Sequence, residues 1–134
     1  MTVLVTDQGF APAHDSHAVP LAHIATHSGA VDMTQSDDPE LLTPYLAALT
    51  LIRVAFPAFS DGRAFTIARR LRMLGYTGEL RALGPVIADQ YPMARRVGFD
   101  SVEIPDEMAA RQPEAQWLNR ADWQAHDYLS RLKA

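Results

Sequence analysis

The stretch TLIRVAFPAFSDGRAFTIARRLRMLGYTGELRAL, residues 50–83, decides the fold. Its first seven residues are mostly β-branched or apolar, which is typical of a strand. Apolar residues then recur at helical spacing and predict one buried helix face, made of Ala64, Ile67, Ala68, Leu71 and Leu74. Gly75 ends this helix, and ELRAL begins a second strand. The stretch therefore predicts a β-α-β unit.

The same order is repeated towards the C-terminus. A helix is predicted over residues 85–97, ending at Gly98, and SVEI at 101–104 is the next strand. Gly75 and Gly98 both suit the left-handed position that closes a helix. Two such units in a row predict a β-α-β-α-β core at about 50–104, with parallel strands and right-handed crossovers. Pro92 lies inside the second helix and should kink it or delay its start.

The length of 134 residues suits one domain with one core. We expect a single α/β domain over 1–134, with alternating strands and helices and a mostly parallel sheet. The arrangement is flavodoxin-like or a partial barrel, and the pattern leaves the strand order open. Outside the core, the sequence predicts a helix at 19–29, a strand at 30–34, a helix at 37–49 and a C-terminal helix at about 116–132.

The core strands have two different faces. Arg53, Arg81 and Glu103 alternate with apolar neighbours, so charged side chains share one face of the sheet. A parallel sheet between two helix layers is apolar on both faces. We therefore expect helices on one side only, or a charged face that meets a second copy of the chain or lines a polar cleft.

Two loops carry the candidate chemistry, FPAFSDGR at 56–63 and LGPVIADQ at 83–90. Each follows a core strand, and ligands of parallel sheets bind outside the carboxyl ends of the strands. Helix N-termini and an arginine there suit an anion such as a carboxylate, a phosphate or sulfite. Asp61 also suits a helix cap, and Arg63 an ion pair with Asp61 or Asp89. The loops offer Ser60, Asp61, Arg63, Asp89 and Gln90.

Several classes of site are not expected. The chain has no cysteine, which removes disulfides, thiolate catalysis and cysteine-ligated metals. It has no nucleotide-binding glycine motif, so no cofactor is predicted. His23 and His27 are four residues apart, but a metal site would need a third ligand such as Asp32 or His17. A surface pair of histidines is commoner, and no metal site is predicted.

Charge and hydropathy limit the partners. The net charge is −4, so nucleic-acid binding is not expected, and no apolar stretch is long enough for a membrane span. The N-terminus lacks the basic region of a secretory signal, which makes a cytoplasmic location the default. Residues 1–52 contain no Lys or Arg, whereas residues 53–96 contain eight arginines. This central basic block suits an anion or an acidic partner, although arginines in final helical turns also complement the helix dipole.

The segment 56–104 resembles the bacterial domain-of-unknown-function family 934. Members of that family read FPxFxDGR, an ARxLR helix, GELRAxG, a DQ pair and RxGFD. The matching residues here are 56–63, 68–72, 78–84, 89–90 and 96–100. The resemblance implies a small cytoplasmic bacterial protein. The family is commonly labelled an oxidoreductase involved in sulfite reduction, which reflects association with assimilatory sulfite or nitrite reduction.

The resemblance also implies a set of site residues, because the motifs fall on the two loops. That set is Asp61, Gly62, Arg63, Arg81, Asp89 and Gln90. Two departures stand out. Many members carry a cysteine before GFD, where this chain has Val97, and many carry an aliphatic or aromatic residue where it has Pro92. A mechanism that needs that thiol is therefore not expected here.

Three hypotheses for function follow. The first is an accessory protein of sulfite or nitrite assimilation that binds an anion, or a partner protein of the reductase system, through both loops. The second is a small enzyme with Asp61 or Asp89 as general base and Arg63 holding an anionic substrate. The third is a homodimer whose charged sheet face is the interface. A deep pocket with a strongly perturbed carboxylate favours the enzyme, and a basic surface favours the accessory protein.

Overall fold

The computed structural model describes residues 2–12, 19–20, 29–56 and 62–121. The strands are β1 (Thr2–Thr6), β2 (Gly9–Pro12), β3 (Val19–Pro20), β4 (Ala30–Met33), β5 (Leu51–Ala55), β6 (Glu79–Leu83) and β7 (Ser101–Pro105). The α-helices are α1 (Arg63–Met73), α2 (Tyr91–Val97), α3 (Asp106–Arg111) and α4 (Glu114–Arg120). Two 3-10 helices span Pro39–Tyr45 and Ala88–Gln90.

The strands form one sheet in the order β2-β1-β7-β6-β5-β4-β3. Strands β3 to β7 are parallel and lie beside one another in chain order, whereas β1 is antiparallel to β2 and β7. The mostly parallel α/β fold predicted from the sequence is thus confirmed. In a flavodoxin-like sheet, the strand order changes direction at a switch point beside the first strand. Here the parallel strands β3 to β7 lie in chain order with no such switch point, as in a partial barrel.

The predicted core units are present as β5-α1-β6-α2-β7. Gly75 and Gly98 have φ angles of +102° and +117°, the left-handed conformation that ends a helix. Pro92 has the effect expected of it. The chain first makes the 3-10 turn Ala88–Gln90, and α2 begins only at Tyr91, which puts the proline in its first turn.

Two predictions for the residues before the core need correction. The helix predicted at 37–49 is a 3-10 helix from Pro39 to Tyr45, and Pro44 lies inside it. Asp38 does cap it, since Asp38 Oδ1 accepts a hydrogen bond from Glu40 N at 3.0 Å. The helix predicted at 19–29 does not begin at Val19, because Val19 and Pro20 pair with β4.

The remaining parts of two predicted helices, residues 21–28 and 122–132, lie outside the described residues. In the region of the predicted C-terminal helix, α4 begins at Glu114 and ends at Arg120, with Ala121 at its C-cap position, so the helix predicted at about 116–132 is not continuous. The hairpin of β1 and β2 was not predicted, and it lies beside β7 through register pairs such as Val3 with Ile104.

The core lies on one face of the sheet. Ile52, Val54, Leu80 and Ala82 are buried there and belong to the same cluster as the buried residues of α1. Sequential right-handed crossovers put successive helices on the same face of a sheet. The alternating residues of the strands therefore point to the other face, which carries the charges.

Candidate functional site

The two predicted loops begin in contact with each other. Phe56 N donates to Leu83 O at 2.8 Å, which continues the pairing of β5 and β6 into the loops. Gly84, at φ +122°, lies so close that an added Cβ would be 2.6 Å from Phe56 O. Glycine is needed here, both for the positive φ and for the close approach. The rest of the first loop, residues 57–61 with Ser60 and Asp61, lies outside the described residues.

The described end of the first loop leads into α1. Gly62 is at the N-cap position and has no side chain to cap the helix. Arg63 is the first residue of the helix and is exposed. Both residues follow β5 in the chain and are separated from Phe56 by residues 57–61.

The second loop holds Asp89 and Gln90 in different environments. The side-chain oxygen of Gln90 accepts a hydrogen bond from Ile87 N at 3.1 Å and so closes the turn that carries both residues. Asp89 Oδ1 accepts from Arg120 Nη2 at 2.7 Å. The side chain of Asp89 is 72% exposed and that of Arg120 is 51% exposed. Asp89 thus belongs to a surface ion pair, whose cation comes from α4.

Two clefts adjoin this ion pair, and Asp89, Asn119 and Arg120 line both of them. The first has a volume of about 480 Å³, and the second about 420 Å³. The other described residues of the first cleft are Ile87, Ala88, Gln112 and Gln116. The other described residues of the second cleft are Pro92, Met93 and Arg96. Their volumes are those of ordinary ligand sites.

Arg81 lies elsewhere, on the sheet face opposite Leu80 and Ala82. It is only 7% exposed, and its Nη1 donates to Glu103 Oε1 at 3.0 Å. Its Nη2 donates to Glu79 Oε1 at 2.9 Å. The resemblance implied that Arg81 joins Asp89 and Gln90, but these bonds place it in a separate group of charges.

That group continues across the sheet as alternating charges. Arg53 Nη1 donates to Glu103 Oε1 at 3.3 Å, and Arg53 Nη2 donates to Asp32 Oδ2 at 2.8 Å. The hydrogen bonds to Asp32 raise the pKa of Arg53, against the lowering effect of its partial burial. We call the five residues Asp32, Arg53, Glu79, Arg81 and Glu103 the charged layer.

A third cleft, of about 420 Å³, lies at the carboxyl ends of β4, β5 and β6, next to the charged layer. It is lined by Pro20, Asp32, Met33, Thr34, Asp37, Ala55 and Leu83. This is the edge of a parallel sheet where ligands usually bind. One Asp37 oxygen accepts from Thr34 N at 2.8 Å, and Asp32 is paired with Arg53. The sequence singles out Asp32 only as a third metal ligand beside the histidine pair, and it gives Asp37 no role.

Within the described ranges, no group of three or more His, Cys, Asp or Glu residues is placed to hold a metal ion. His17, His23 and His27 lie outside those ranges. The described helices are too short or too polar for any of them to cross a membrane.

The model of the family described as "Bacterial protein of unknown function (DUF934)" matches residues 30–128. That range includes β4 to β7, all four α-helices and the lining of the clefts beside Asp89. The chain belongs to DUF934. No curated protein and no solved structure matches it.

Several motif residues of this DUF934 chain stabilise the fold. Arg72, from the ARxLR motif, donates to Gly98 O from both Nε (3.0 Å) and Nη2 (2.8 Å). Its Nη1 donates to the carbonyl oxygens of Tyr76 and Gly78 at 3.0 and 2.9 Å. Asp100, from RxGFD, accepts from Arg72 and from Leu80 N. These contacts tie the ends of α1 and α2 to β6.

Tyr91 of the DUF934 chain predicts how the stability of the fold changes at alkaline pH. It is fully buried, and its hydroxyl donates to Asp7 in the turn between β1 and β2. Burial raises the pKa of Tyr91, and the hydrogen bond to Asp7 raises it further. Burial also raises the pKa of Tyr76. Above pH about 10, the unfolded state therefore loses tyrosine protons that the folded state keeps.

We expect the free energy of unfolding to fall above pH about 10, by up to about 1.4 kcal/mol per pH unit for each of these tyrosines. Urea titrations from pH 8 to 11 measure the slope. Tyr91→Phe should make the slope shallower, since one of the two groups is gone. An unchanged slope in Tyr91→Phe would show that Tyr91 ionises equally in both states.

Proposed function

We propose that the protein is an accessory binding protein of assimilatory sulfite or nitrite reduction, which holds an anion or an acidic group of a partner in the region of the FPAFSDGR and LGPVIADQ loops. One observation carries the proposal. Arg96 and Arg120 line the same cleft beside the second loop, and Asp89 is the acidic residue among its described lining, in a chain whose net charge is −4. Arginine presents a planar set of N–H donors that fits carboxylates and tetrahedral oxyanions.

The pathway in this proposal comes from the family resemblance, whose common label refers to sulfite reduction. A cytoplasmic location suits such a pathway and a chain without cysteines. The partner would be a protein of the reductase system that presents an acidic surface, since opposite charges steer association and set its specificity.

The environment of Asp89 favours binding over catalysis. The enzyme hypothesis needs this carboxylate, or Asp61, as a general base. Asp89 is mostly exposed to water and is paired with Arg120. Groups of this kind lack the water-excluded surroundings in which enzymes tune a base.

The charged layer bears on the homodimer hypothesis. Arg81 and Glu103 are 7% and 5% exposed within a single chain. Arg81 and Glu103 form an ion pair with each other. Arg81 also pairs with Glu79, and Glu103 also pairs with Arg53. The layer thus needs no second copy of the chain to cover it, which removes the main reason for a dimer through this face.

The proposal predicts a ligand-dependent rise in melting temperature. We expect sulfite, sulfate, nitrite or phosphate to raise it, because a ligand that binds only the folded state stabilises that state by mass action. At about ten times the dissociation constant, the gain is about 1.4 kcal/mol, or about 5 °C for a chain of this length. Arg96→Gln and Arg120→Gln should each remove most of the shift.

Arg111→Gln is the matched control, because Arg111 is an exposed arginine on α3 that does not line either cleft beside Asp89. It should keep the full shift. Arg63→Ala tests in the same experiment whether the first loop contributes. No shift with any of the four anions, up to millimolar dissociation constants, would contradict the anion site. An equal loss in Arg111→Gln would mean that general charge, and not the cleft, causes the effect.

A further inference from the structure

The ion pair between Asp89 and Arg120 adjoins two clefts with different chemistry. Beyond the three residues that they share, the described lining of one cleft includes the carboxamides of Gln112 and Gln116, and that of the other includes Arg96 and Met93. Because Asp89 and Arg120 border both clefts, a ligand that contacts these two side chains lies beside both clefts.

The ion pair is of a kind that separates easily. Both side chains are more than half exposed, and exposed ion pairs contribute little to stability. A single bond, from Arg120 Nη2 to Asp89 Oδ1, connects them. A guanidinium has five N–H donors, so Arg120 retains donors for a second acceptor. A carboxylate from a ligand can therefore take the place of Asp89 at little cost.

The first cleft presents amide groups that suit a polypeptide. Among the described residues, the side chains of Gln116 and Asn119 have no hydrogen-bond partner. Gln112 uses its oxygen to accept from Ala88 N at 2.7 Å, which leaves its NH2 group for a ligand. A carboxamide carries an acceptor and two donors, and thus matches the N–H and C=O of a peptide unit. A small inorganic anion would use none of the acceptors.

The second cleft adds an apolar contact. Met93 is 49% exposed and lines this cleft beside Arg96. Methionine adapts its shape to different partners, and methionine and arginine are both enriched in protein interfaces. Amides, arginines and an exposed methionine in adjoining clefts suit an extended chain with an acidic side chain better than they suit a free ion.

We propose that the two clefts form one groove for an extended acidic peptide segment of a partner protein. The peptide backbone contacts Gln116 and Asn119, and one of its carboxylates replaces Asp89 on Arg120. Asp89 is then a competitor that holds Arg120 until the peptide arrives. This inference rests on the proposed function and names the chemistry of the partner.

The test uses the full chain and a random peptide library displayed on phage. We expect selection to enrich peptides that share an aspartate or glutamate. Fluorescence anisotropy then gives the dissociation constant of a labelled enriched peptide. Arg120→Gln should weaken binding about tenfold, as expected for the loss of charge-assisted hydrogen bonds. Asp89→Asn should tighten binding about threefold, because the competing charge is gone.

A further variant separates a peptide from a small anion, because Gln116 lines the first cleft and not the second. Gln116→Ala should weaken the peptide about fivefold and leave the sulfate-induced rise in melting temperature unchanged. Arg111→Gln is again the control and should bind the peptide like the parent. The side chains replaced in these variants, such as those of Asp89, Gln116 and Arg120, are exposed. Without ligand, the variants should therefore have melting temperatures close to that of the parent.

The outcomes distinguish this inference from the proposed function. If sulfate stabilises the chain but no acidic peptide is enriched, the anion site stands and the peptide groove is wrong. If neither binds, both are wrong. Weaker peptide binding in Asp89→Asn would overturn the role of Asp89 as a competitor, and peptide binding that survives Arg120→Gln would overturn the groove.

Discussion

Replacing Glu103 with alanine is expected to lower the free energy of unfolding by about 3–5 kcal/mol. Glu103 accepts hydrogen bonds from Arg81 at 3.0 Å, from Arg53 at 3.3 Å and from Thr2 Oγ1 at 2.9 Å. Its removal leaves Arg81 buried with Glu79 as its remaining acidic partner, and one nitrogen of Arg81, Nε, has no hydrogen-bond partner even with Glu103 in place. A buried charge that loses its partner is costly because water cannot replace it.

Urea denaturation of Glu103→Ala measures this effect, with Glu107→Ala as the control. Glu107 lies four residues later and is exposed on α3, so its loss should change the free energy of unfolding by less than about 0.5 kcal/mol. The double variant Arg81→Met with Glu103→Leu should lose less free energy of unfolding than the two single substitutions lose when their losses are added. The reason is that both buried charges are removed together. A cost for Glu103→Ala equal to that of the control would show that the charged layer is solvated.

The same variants test the grouping of Arg81 with Asp89 that the family motifs suggested. Arg81→Met should destabilise the fold, and the molecules that remain folded should bind sulfate like the parent. A folded Arg81→Met protein that no longer binds the anion would instead place Arg81 in the binding site.

Replacing Arg72 with methionine is expected to cost about 3 kcal/mol, or about 10 °C in melting temperature. The arginine supplies hydrogen bonds to three carbonyl oxygens and to the Asp100 carboxylate. Methionine preserves most of the apolar stem but none of the donors. Carbonyl groups at the end of α2 and before β6 would then be left without these partners, which is more costly than the loss of an exposed ion pair.

Arg69→Met is the matched control for this change, since Arg69 is an exposed arginine on the same helix. Thermal denaturation should show a change of no more than about 2 °C for Arg69→Met. Equal effects of the two substitutions would mean that helix charge, and not the bonds to the α2 end, explains the loss.

The sequence was most informative where the signal was local. In β5-α1-β6-α2-β7, the ends of the elements follow from helical periodicity and from the helix-ending glycines Gly75 and Gly98. Each of these signals lies within a few consecutive residues. The hairpin of β1 and β2 escaped prediction because its partner strand β7 lies at the other end of the core. The apolar spacing at 37–49 predicts a longer helix than the 3-10 helix at Pro39–Tyr45, because the spacing does not register the backbone donor that Pro44 lacks.

The candidate site was predictable in part. Adjacent parallel strands bring their following loops together, and the contact of Phe56 with Gly84 follows from that rule. Arg120 and Asn119 could not be assigned to the LGPVIADQ loop, since they come from α4 and no local pattern links α4 to Asp89. The alternation along the strands predicts that Arg81 shares a sheet face with Arg53 and Glu103, opposite the face that the helices cover. The family motifs grouped it with Asp89 instead, because a motif records sequence order and not the side of the sheet.

The antiparallel pairing of β1 with β7 has a consequence for synthesis of the chain. Thr2 and its partner Glu103 are 101 positions apart, so β1 leaves the ribosome long before the strand that it pairs with. At about 5–20 residues per second, that delay is roughly 5–20 s. The parallel strands β4 to β7 can pair one after another as they emerge, each beside the one made before it. Of the described strands, β1 and β2 are made first but can join the sheet only after β7, so a nascent-chain complex stalled before residue 101 would carry their hairpin without its partner strand.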